Sequence, residues 1–314
     1  MRVLVVGGAG YVGGAVTDLL AKTEHDFIVY DSLVYEEAFR KPVPFFRGDI
    51  RDHDKLLPHL HWADCVIWLA ALVGDAVCAL DPAATTEINQ ESVQWLSENF
   101  HGRIIFMSTC SVYGAADTEL DEDSPTNPLS VYATTKLAAE SYIVDWPDSN
   151  AIVFRLGTLF GLSDEFSRVR FDLVLNTLTL RAHQQGKITV FGGQQYRPLL
   201  HVRDAARAVV DNIGTEARGV FNLSYVNITI ADLAERVADF FPKLEVERTP
   251  QYFEDHRNYR VSSDLARLKL HFQPQYTLGQ GVQEIKSLLD EQRLVLPDHP
   301  RYCNDRHLAA QGVR

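Results

Sequence analysis

The sequence predicts an α/β fold, a doubly wound parallel sheet followed by a smaller C-terminal α/β lobe. Three observations predict it. Near-continuous apolar strands alternate with helical stretches through the first half of the chain, the pattern of a parallel sheet covered on both faces. The first strand runs directly into a glycine-rich turn, Gly7-Gly8-Ala9-Gly10-Tyr11-Val12-Gly13, that opens a helix. Asp31 then ends the second strand, eighteen residues after Gly13. Strand, turn, helix and acidic strand end together form the context of a dinucleotide site.

Taken in order, Arg2–Val6 is a short apolar strand and residues 13–22 a helix. Residues 25–31, 43–50, 65–71 and 103–109 supply the second to fifth strands, with a helix over 83–100. Residues 130–145 form another helix, followed by a strand at 151–156. The second half is less regular: a helix over 171–185, a strand at 187–191, short apolar strands at 199–202 and 219–224, and helices over 230–241 and 278–291. These readings divide the chain into a nucleotide-binding domain at 1–165 and a mainly substrate-binding lobe at 166–314, with about 199–225 packing back on the first domain. Residues 297–314 are polar and read as a surface tail.

A chain of 314 residues with 46% hydrophobic and 23% charged residues can bury a substantial core. The net charge of −12 argues against nucleic acid as a partner, since no basic field collects phosphates. No apolar run is long enough to span a bilayer, and the chain enters a strand at once, so neither a membrane segment nor a signal peptide is expected. Cys65, Cys78, Cys110 and Cys303 show no CxxC or metal-ligand spacing, so no metal and a reduced, cytoplasmic setting are expected.

The chemistry-bearing residues follow the same order. Glycines in the turn let the backbone approach a pyrophosphate, and the helix N-terminus favours its charge. Asp31 is placed to accept hydrogen bonds from adenosine ribose hydroxyls and to repel a 2′-phosphate, which selects NAD over NADP. Asp49 and Ile50, at the end of the third strand, are placed to border the adenine ring. Tyr132 and Lys136 are four residues apart and fall on one helix face. An ammonium held there is expected to stabilise phenolate and lower the phenol's pKa. Such a tyrosine can take a proton from a sugar or alcohol hydroxyl while the adjacent carbon loses hydride.

The chain resembles an extended short-chain dehydrogenase/reductase of the NAD-dependent nucleotide-sugar epimerase/dehydratase family. The matching segments are residues 7–13, Gly48-Asp49-Ile50, Leu69-Ala70-Ala71, Ser108-Thr109-Cys110-Ser111-Val112-Tyr113-Gly114, Tyr132-x-x-x-Lys136, residues 155–161 and His201-Val202-Arg203-Asp204. The resemblance implies a Rossmann domain that binds NAD through Gly7, Gly10, Tyr11, Val12, Gly13, Asp31, Asp49, Ile50, Leu69, Ala70, Ala71 and Lys136. It implies a catalytic set of Thr109, Tyr132 and Lys136, with Thr109 orienting the substrate hydroxyl. It also implies a homodimer built through the helices near 83–100 and 130–145.

Family members that expel water from the sugar carry an Asp-Glu pair after the catalytic Ser/Thr, where this chain has Cys110 and Ser111. Neither is a carboxyl acid or base, so 4,6-dehydration is disfavoured, and Cys110 is read as strand packing. Arg197 and Arg257 (the latter in Asp255-His256-Arg257-Asn258-Tyr259) match positions that hold the substrate diphosphate, a task suited to a planar, permanently charged guanidinium. Asn176, in the first helix of the second lobe, is a further candidate substrate contact; the family often has an asparagine in the 155–161 segment, where this chain has Gly157-Thr158. His201 is expected to be structural. The runs at 69–78 and 170–173 resemble a subgroup that includes GDP-heptose C4 dehydrogenases. The expected activity is therefore hydride removal at a sugar carbon, most simply C4 epimerisation, with net C4 dehydrogenation or ketoreduction, or a catalytically silent NAD-binding regulator, as alternatives.

Overall fold

The computed structural model describes residues 1–146, 149–250 and 257–311. The nucleotide-binding half contains β1 (Arg2–Val6), α1 (Tyr11–Leu20), β2 (Asp26–Asp31), β3 (Phe45–Arg47), α2 (His53–Trp62), β4 (Cys65–Trp68), α3 (Asp75–Leu80), α4 (Pro82–Thr86), α5 (Ser92–Asn99), β5 (Arg103–Thr109), β6 (Ala115–Leu120), α6 (Val131–Val144) and β7 (Ala151–Leu156). There follow β8 (Thr158–Phe160), α7 (Val174–Gln185), β9 (Lys187–Phe191), β10 (Tyr196–His201), α8 (Val202–Asp211), β11 (Gly219–Leu223), β12 (Val226–Thr229), α9 (Ile230–Ala238), β13 (Glu245–Thr249), β14 (Asn258–Val261), α10 (Asp264–Leu270), α11 (Leu278–Asp290) and α12 (Asn304–Gln311).

Seven parallel strands form the central sheet in the order β11-β7-β5-β4-β1-β2-β3. Side chains alternate across a strand, and here both faces are buried. Val3, Val5, Ile67, Ile105 and Phe154 pack with Val16 and Leu20 of α1 and Val209 of α8. Leu4, Val6, Val66, Phe106 and Val153 pack on the other face with Leu60 of α2, Leu96 of α5 and Ile143 of α6. The strand order reverses beside β1, so the C-terminal ends of β1 and β4 open a crevice at the point where such sheets bind ligands.

Several boundaries differ from the sequence reading. The predicted 43–50 strand shrinks to Phe45–Arg47, because Pro42 and Pro44 carry no N–H for the ladder and β3 lies at the sheet edge. The predicted 65–71 strand stops at Trp68, since the amides of Leu69 and Ala70 both turn back to the Val6 carbonyl. The helix over 83–100 is α4 and α5 joined by a π-helical turn at Glu87–Glu91. Of the two short apolar strands, Gly219–Leu223 joins the main sheet, whereas Tyr196–His201 lies in a separate three-stranded sheet between β12 and β8.

The expected surface tail is corrected most. Residues 304–311 form a helix, and Leu308 is buried with Leu72, Val77, Cys78 and Tyr132. The tail is polar in composition, yet Asn304 and His307 spend their polar groups on the protein rather than on water.

Candidate active site

A cavity of about 1020 Å³ runs from the glycine-rich turn to the second lobe. At its cofactor end, Gly7 has φ +84°, and a Cβ there would overlap the backbone nitrogen of Ala70. A Cβ on Gly13 would meet the Gly7 carbonyl at 2.6 Å, so this glycine closes the turn onto the helix. Gly10 is different. Its added Cβ would touch only the Gly7 oxygen at 3.5 Å, and the residue lines the cavity. A side chain there would fill open cradle space at the N-terminus of α1, which is the room a pyrophosphate needs. Tyr11 and Val12 begin that helix and line the same wall, and the Tyr11 hydroxyl donates to the Gly161 carbonyl at 2.7 Å.

Asp31 sits at the end of β2 and lines the cavity. Its carboxylate accepts the Ala9 amide at 3.0 Å and the Leu33 amide at 2.8 Å, while burial raises its pKa against these bonds. Lone pairs remain for a ribose. Asp49, Ile50, Leu69, Ala70 and Ala71 also line this end. The Asp49 carboxylate is held by Arg51 at 2.8 and 3.0 Å. These residues fit a dinucleotide.

Thr109, Tyr132 and Lys136 meet on the same cavity, brought together by the end of β5 and the first turns of α6. All three are largely buried. The Thr109 hydroxyl oxygen accepts the Ser111 amide at 3.1 Å, and the same side chain lies close enough to Tyr132 to act on its phenol. The expected influence of Lys136 on the phenol is corrected. Burial pushes the Tyr132 phenol up, Cys78 and Asp75 add to this, and the Thr109 side chain and Arg170 oppose it. The Lys136 ammonium instead donates to the Met107 carbonyl at 2.7 Å and lies 4.5 Å from the Phe106 ring centre. Burial lowers its pKa to about 8.

A buried ionic network supports this set. Arg155 of β7 pairs with Glu140 of α6 at 2.6 Å and donates to the Tyr113 hydroxyl at 2.9 Å. Ser108 donates to the same Glu140 carboxylate. Cys110 is fully buried, and its thiol donates to the Arg155 carbonyl at 3.2 Å. Burial pushes that thiol up, so it is packing and no acid or base. Ser111 reaches the cavity, with its hydroxyl 3.3 Å from that of Tyr259.

At the second-lobe end, Arg197 and Arg257 line the cavity together. Arg197 donates to the carbonyls of Tyr196, at 2.8 Å, and of Arg257. Arg257 forms an ion pair with Asp75 at 3.1 Å. Asp255 and His256, which complete the sequence motif around Arg257, lie outside the described residues. Asn176 is not part of the cavity. It is fully buried, its Oδ1 accepts the Gly161 amide at 3.0 Å, and its Nδ2 donates to the carbonyls of Arg170 at 2.8 Å and Gly161 at 3.3 Å. Its polar capacity is spent on a loop, which removes it from the substrate contacts. His201 is structural: Nε2 lies 3.1 Å from Glu284, and Nδ1 accepts the Arg203 amide.

Sequence reasoning missed several cavity residues. Asp75 accepts from Ser130 at 2.7 Å as well as pairing with Arg257. Arg168, Arg170, Asp172 and Asn304 form another polar wall. The alternating Arg168-x-Arg170-x-Asp172 run was the available signal, because two arginines leading into an apolar helix need partners when they are buried. Among the described residues, no cluster of His, Cys, Asp and Glu could hold a metal ion, and no helix is long and apolar enough to cross a membrane.

A family model described as the NAD dependent epimerase/dehydratase family matches residues 3–224. The chain is similar to a UDP-glucose 4-epimerase of Corynebacterium glutamicum, at 25% identity over 88% of this chain and 92% of the relative. It is similar to UDP-glucuronic acid decarboxylase 1 of Arabidopsis thaliana, at 23% identity over 91% of this chain and 69% of the relative. A crystal structure of a UDP-glucose 4-epimerase from Thermotoga maritima shares the fold, with a TM-score of 0.82 and 22% identity over 94% of this chain and all of that one (100%).

Proposed function

Since this chain belongs to the NAD-dependent epimerase/dehydratase family, we propose that it is an oxidoreductase acting on a nucleotide-diphosphate sugar at C4, with epimerisation as the outcome. The observation that carries this reading is the meeting of Thr109, Tyr132 and Lys136 on one cavity that has a glycine cradle at one end and two arginines at the other. The α1 turn and Asp31 would hold NAD⁺, which would supply the hydride acceptor. Thr109 donates to and orients the sugar hydroxyl, and Tyr132 takes its proton. In this role Lys136, on the same helix face as the base and held by the Met107 carbonyl, would hydrogen-bond toward the nicotinamide ribose. Arg197 and Arg257 hold the diphosphate.

Hydride return to the other face gives the C4 epimer, and release of the keto-sugar gives a net dehydrogenase or, in reverse, a ketoreductase. Of the 69–78 and 170–173 runs that carry the heptose-subgroup resemblance, residues 69–77 and Arg170, Asp172 and Leu173 line the cavity, and this keeps the net-redox outcome as the second reading. Four free, buried cysteines suit a reducing cytoplasm, and a homodimer through α4–α5 and α6 is part of the same proposal.

The test is incubation of the protein with a panel of nucleotide sugars in deuterated water, read by proton NMR of the sugar ring, by mass and by absorbance of reduced nicotinamide. Inversion without net absorbance supports the epimerase. Stoichiometric absorbance identifies the dehydrogenase. Cofactor binding without turnover of any sugar would leave a silent regulator and overturn the proposal.

A further inference from the structure

We propose that Arg170 is a second anchor for the pyrophosphate of the cofactor, aimed by Asp172 and by Asn304 of the C-terminal helix. This rests on the reading that the cavity holds NAD. The glycine-rich turn at residues 7–13 contains no cation. The turn thus offers the two pyrophosphate charges amides and a helix dipole, and a guanidinium from outside the turn supplies a counterion.

Arg170 has the required geometry. It is 9% exposed and lines the cavity, and its guanidinium carbon lies 5.7 Å from the ring centre of Tyr11, the first residue of α1. It meets Asp172 side-on: Nε donates to one carboxylate oxygen at 3.0 Å and Nη2 to the other at 2.8 Å. That pairing fixes the plane of the guanidinium, while Nη1 has no hydrogen-bond partner among the described residues. Burial disfavours the charge, and Asp172 more than offsets this, so the cation persists. A planar fork with one edge on a carboxylate presents its other edge to an anion.

The C-terminal helix holds this arrangement in place. The Asn304 amide donates to Asp172 at 3.1 Å, and the Asn304 side chain donates to the Val73 carbonyl at 3.1 Å. Arg168 donates to the Asn304 side-chain oxygen and to the Arg301 carbonyl at 2.7 Å. Asn304 therefore joins the 168–172 segment to the loop after β4, and it acts on the anion only through Asp172 and Arg170.

The experiment is calorimetric binding of NAD, ADP-ribose and adenosine to the full chain freed of co-purified nucleotide. Arg170→Gln is expected to weaken NAD and ADP-ribose, which carry the pyrophosphate, by roughly tenfold to a hundredfold. Adenosine, which lacks it, should bind unchanged. Arg170→Lys should recover part of the loss. Asn304→Ala, which keeps the backbone amide on Asp172 but cuts the side-chain ties to Val73 and Arg168, should show a smaller pyrophosphate-selective loss, and Arg170→Met decides the matter if Arg170→Gln does not fold. Equal weakening of adenosine, unchanged ADP-ribose affinity, or a loss confined to nucleoside diphosphates such as UDP would each overturn the inference. Wild-type protein that binds no NAD would instead refute the cofactor reading beneath it.

Discussion

Lys136 donates its ammonium to the Met107 carbonyl at 2.7 Å, although it shares a helix face with Tyr132. The free protein thus holds a buried cation satisfied by a strand-end carbonyl. Burial brings the Lys136 pKa from 10.5 to about 8. Between those values the unfolded chain binds a proton that the folded chain does not, so folding stability gained from this group rises with pH. Below about pH 8 the full cost of the buried charge is present. Against Lys136→Met, the wild type should gain on the order of 3 kcal/mol as pH rises from 8 toward 10.5, at 1.36 kcal/mol per unit. Denaturant unfolding of both proteins across this window checks it, and a pH-independent difference would refute the assignment.

Tyr132→Phe removes the proton acceptor while keeping the ring that packs with Leu72, Val77 and Leu308. Turnover should fall by about 10²- to 10⁴-fold, the usual worth of general-base catalysis. NAD affinity and thermal stability should stay near wild type. Rapid-quench measurement of the chemical step decides, and unchanged turnover excludes Tyr132 as the base.

Asp31→Ala should relax the preference for NAD over NADP. The carboxylate already accepts the Ala9 and Leu33 amides, so its negative charge is fixed at the cavity rim. Loss of a charge-assisted ribose bond should cost NAD roughly tenfold or more, while NADP gains from the lost repulsion. A ratio of the two dissociation constants equal to that of wild type would remove Asp31 from the ribose site.

The parts of the fold and site readable in sequence were those set by local pattern. β5 and β7 were predicted to the residue because both are apolar runs buried on both faces. Gly7 and Gly13 were visible because backbone crowding forbids a side chain there. Asn176 failed because residue type alone does not tell a cavity amide from one satisfied by a loop. The Tyr132–Lys136 spacing gave the shared face but not the Met107 carbonyl, a contact twenty-nine residues away in sequence. Asn304 and Leu308 were hidden for the same reason. Their hydrogen-bond and packing partners come from distant segments, and no periodicity in a polar tail records them.

Glu140→Ala should be strongly destabilising. Glu140 accepts both Nε and Nη2 of Arg155 and the Ser108 hydroxyl in a region closed to water. Removing it leaves a buried guanidinium without its counter-charge, at a cost of about 3–5 kcal/mol. Urea unfolding at neutral pH measures this. A loss below about 1 kcal/mol, typical of an exposed pair, would show that the network carries little stability.

Arg197→Ala and Arg257→Ala should each weaken nucleotide-sugar binding, by about 1.5–3 kcal/mol if each donates a charge-assisted bond to the diphosphate. The effects should not add. Arg197 donates to the Arg257 backbone carbonyl, so truncating Arg197 also loosens the segment that presents Arg257. Arg257 pairs with Asp75 in the free protein, and substrate must draw the guanidinium from that carboxylate or share it. Asp75→Asn should therefore tighten diphosphate binding where Arg257→Ala loosens it, since it weakens that pairing without removing the cation. The Arg197→Ala/Arg257→Ala double variant, titrated with nucleoside diphosphate beside the two singles, gives the coupling energy directly. Full additivity would show that the two arginines act on the substrate independently, and affinities equal to wild type in all three would exclude the diphosphate from this end of the cavity.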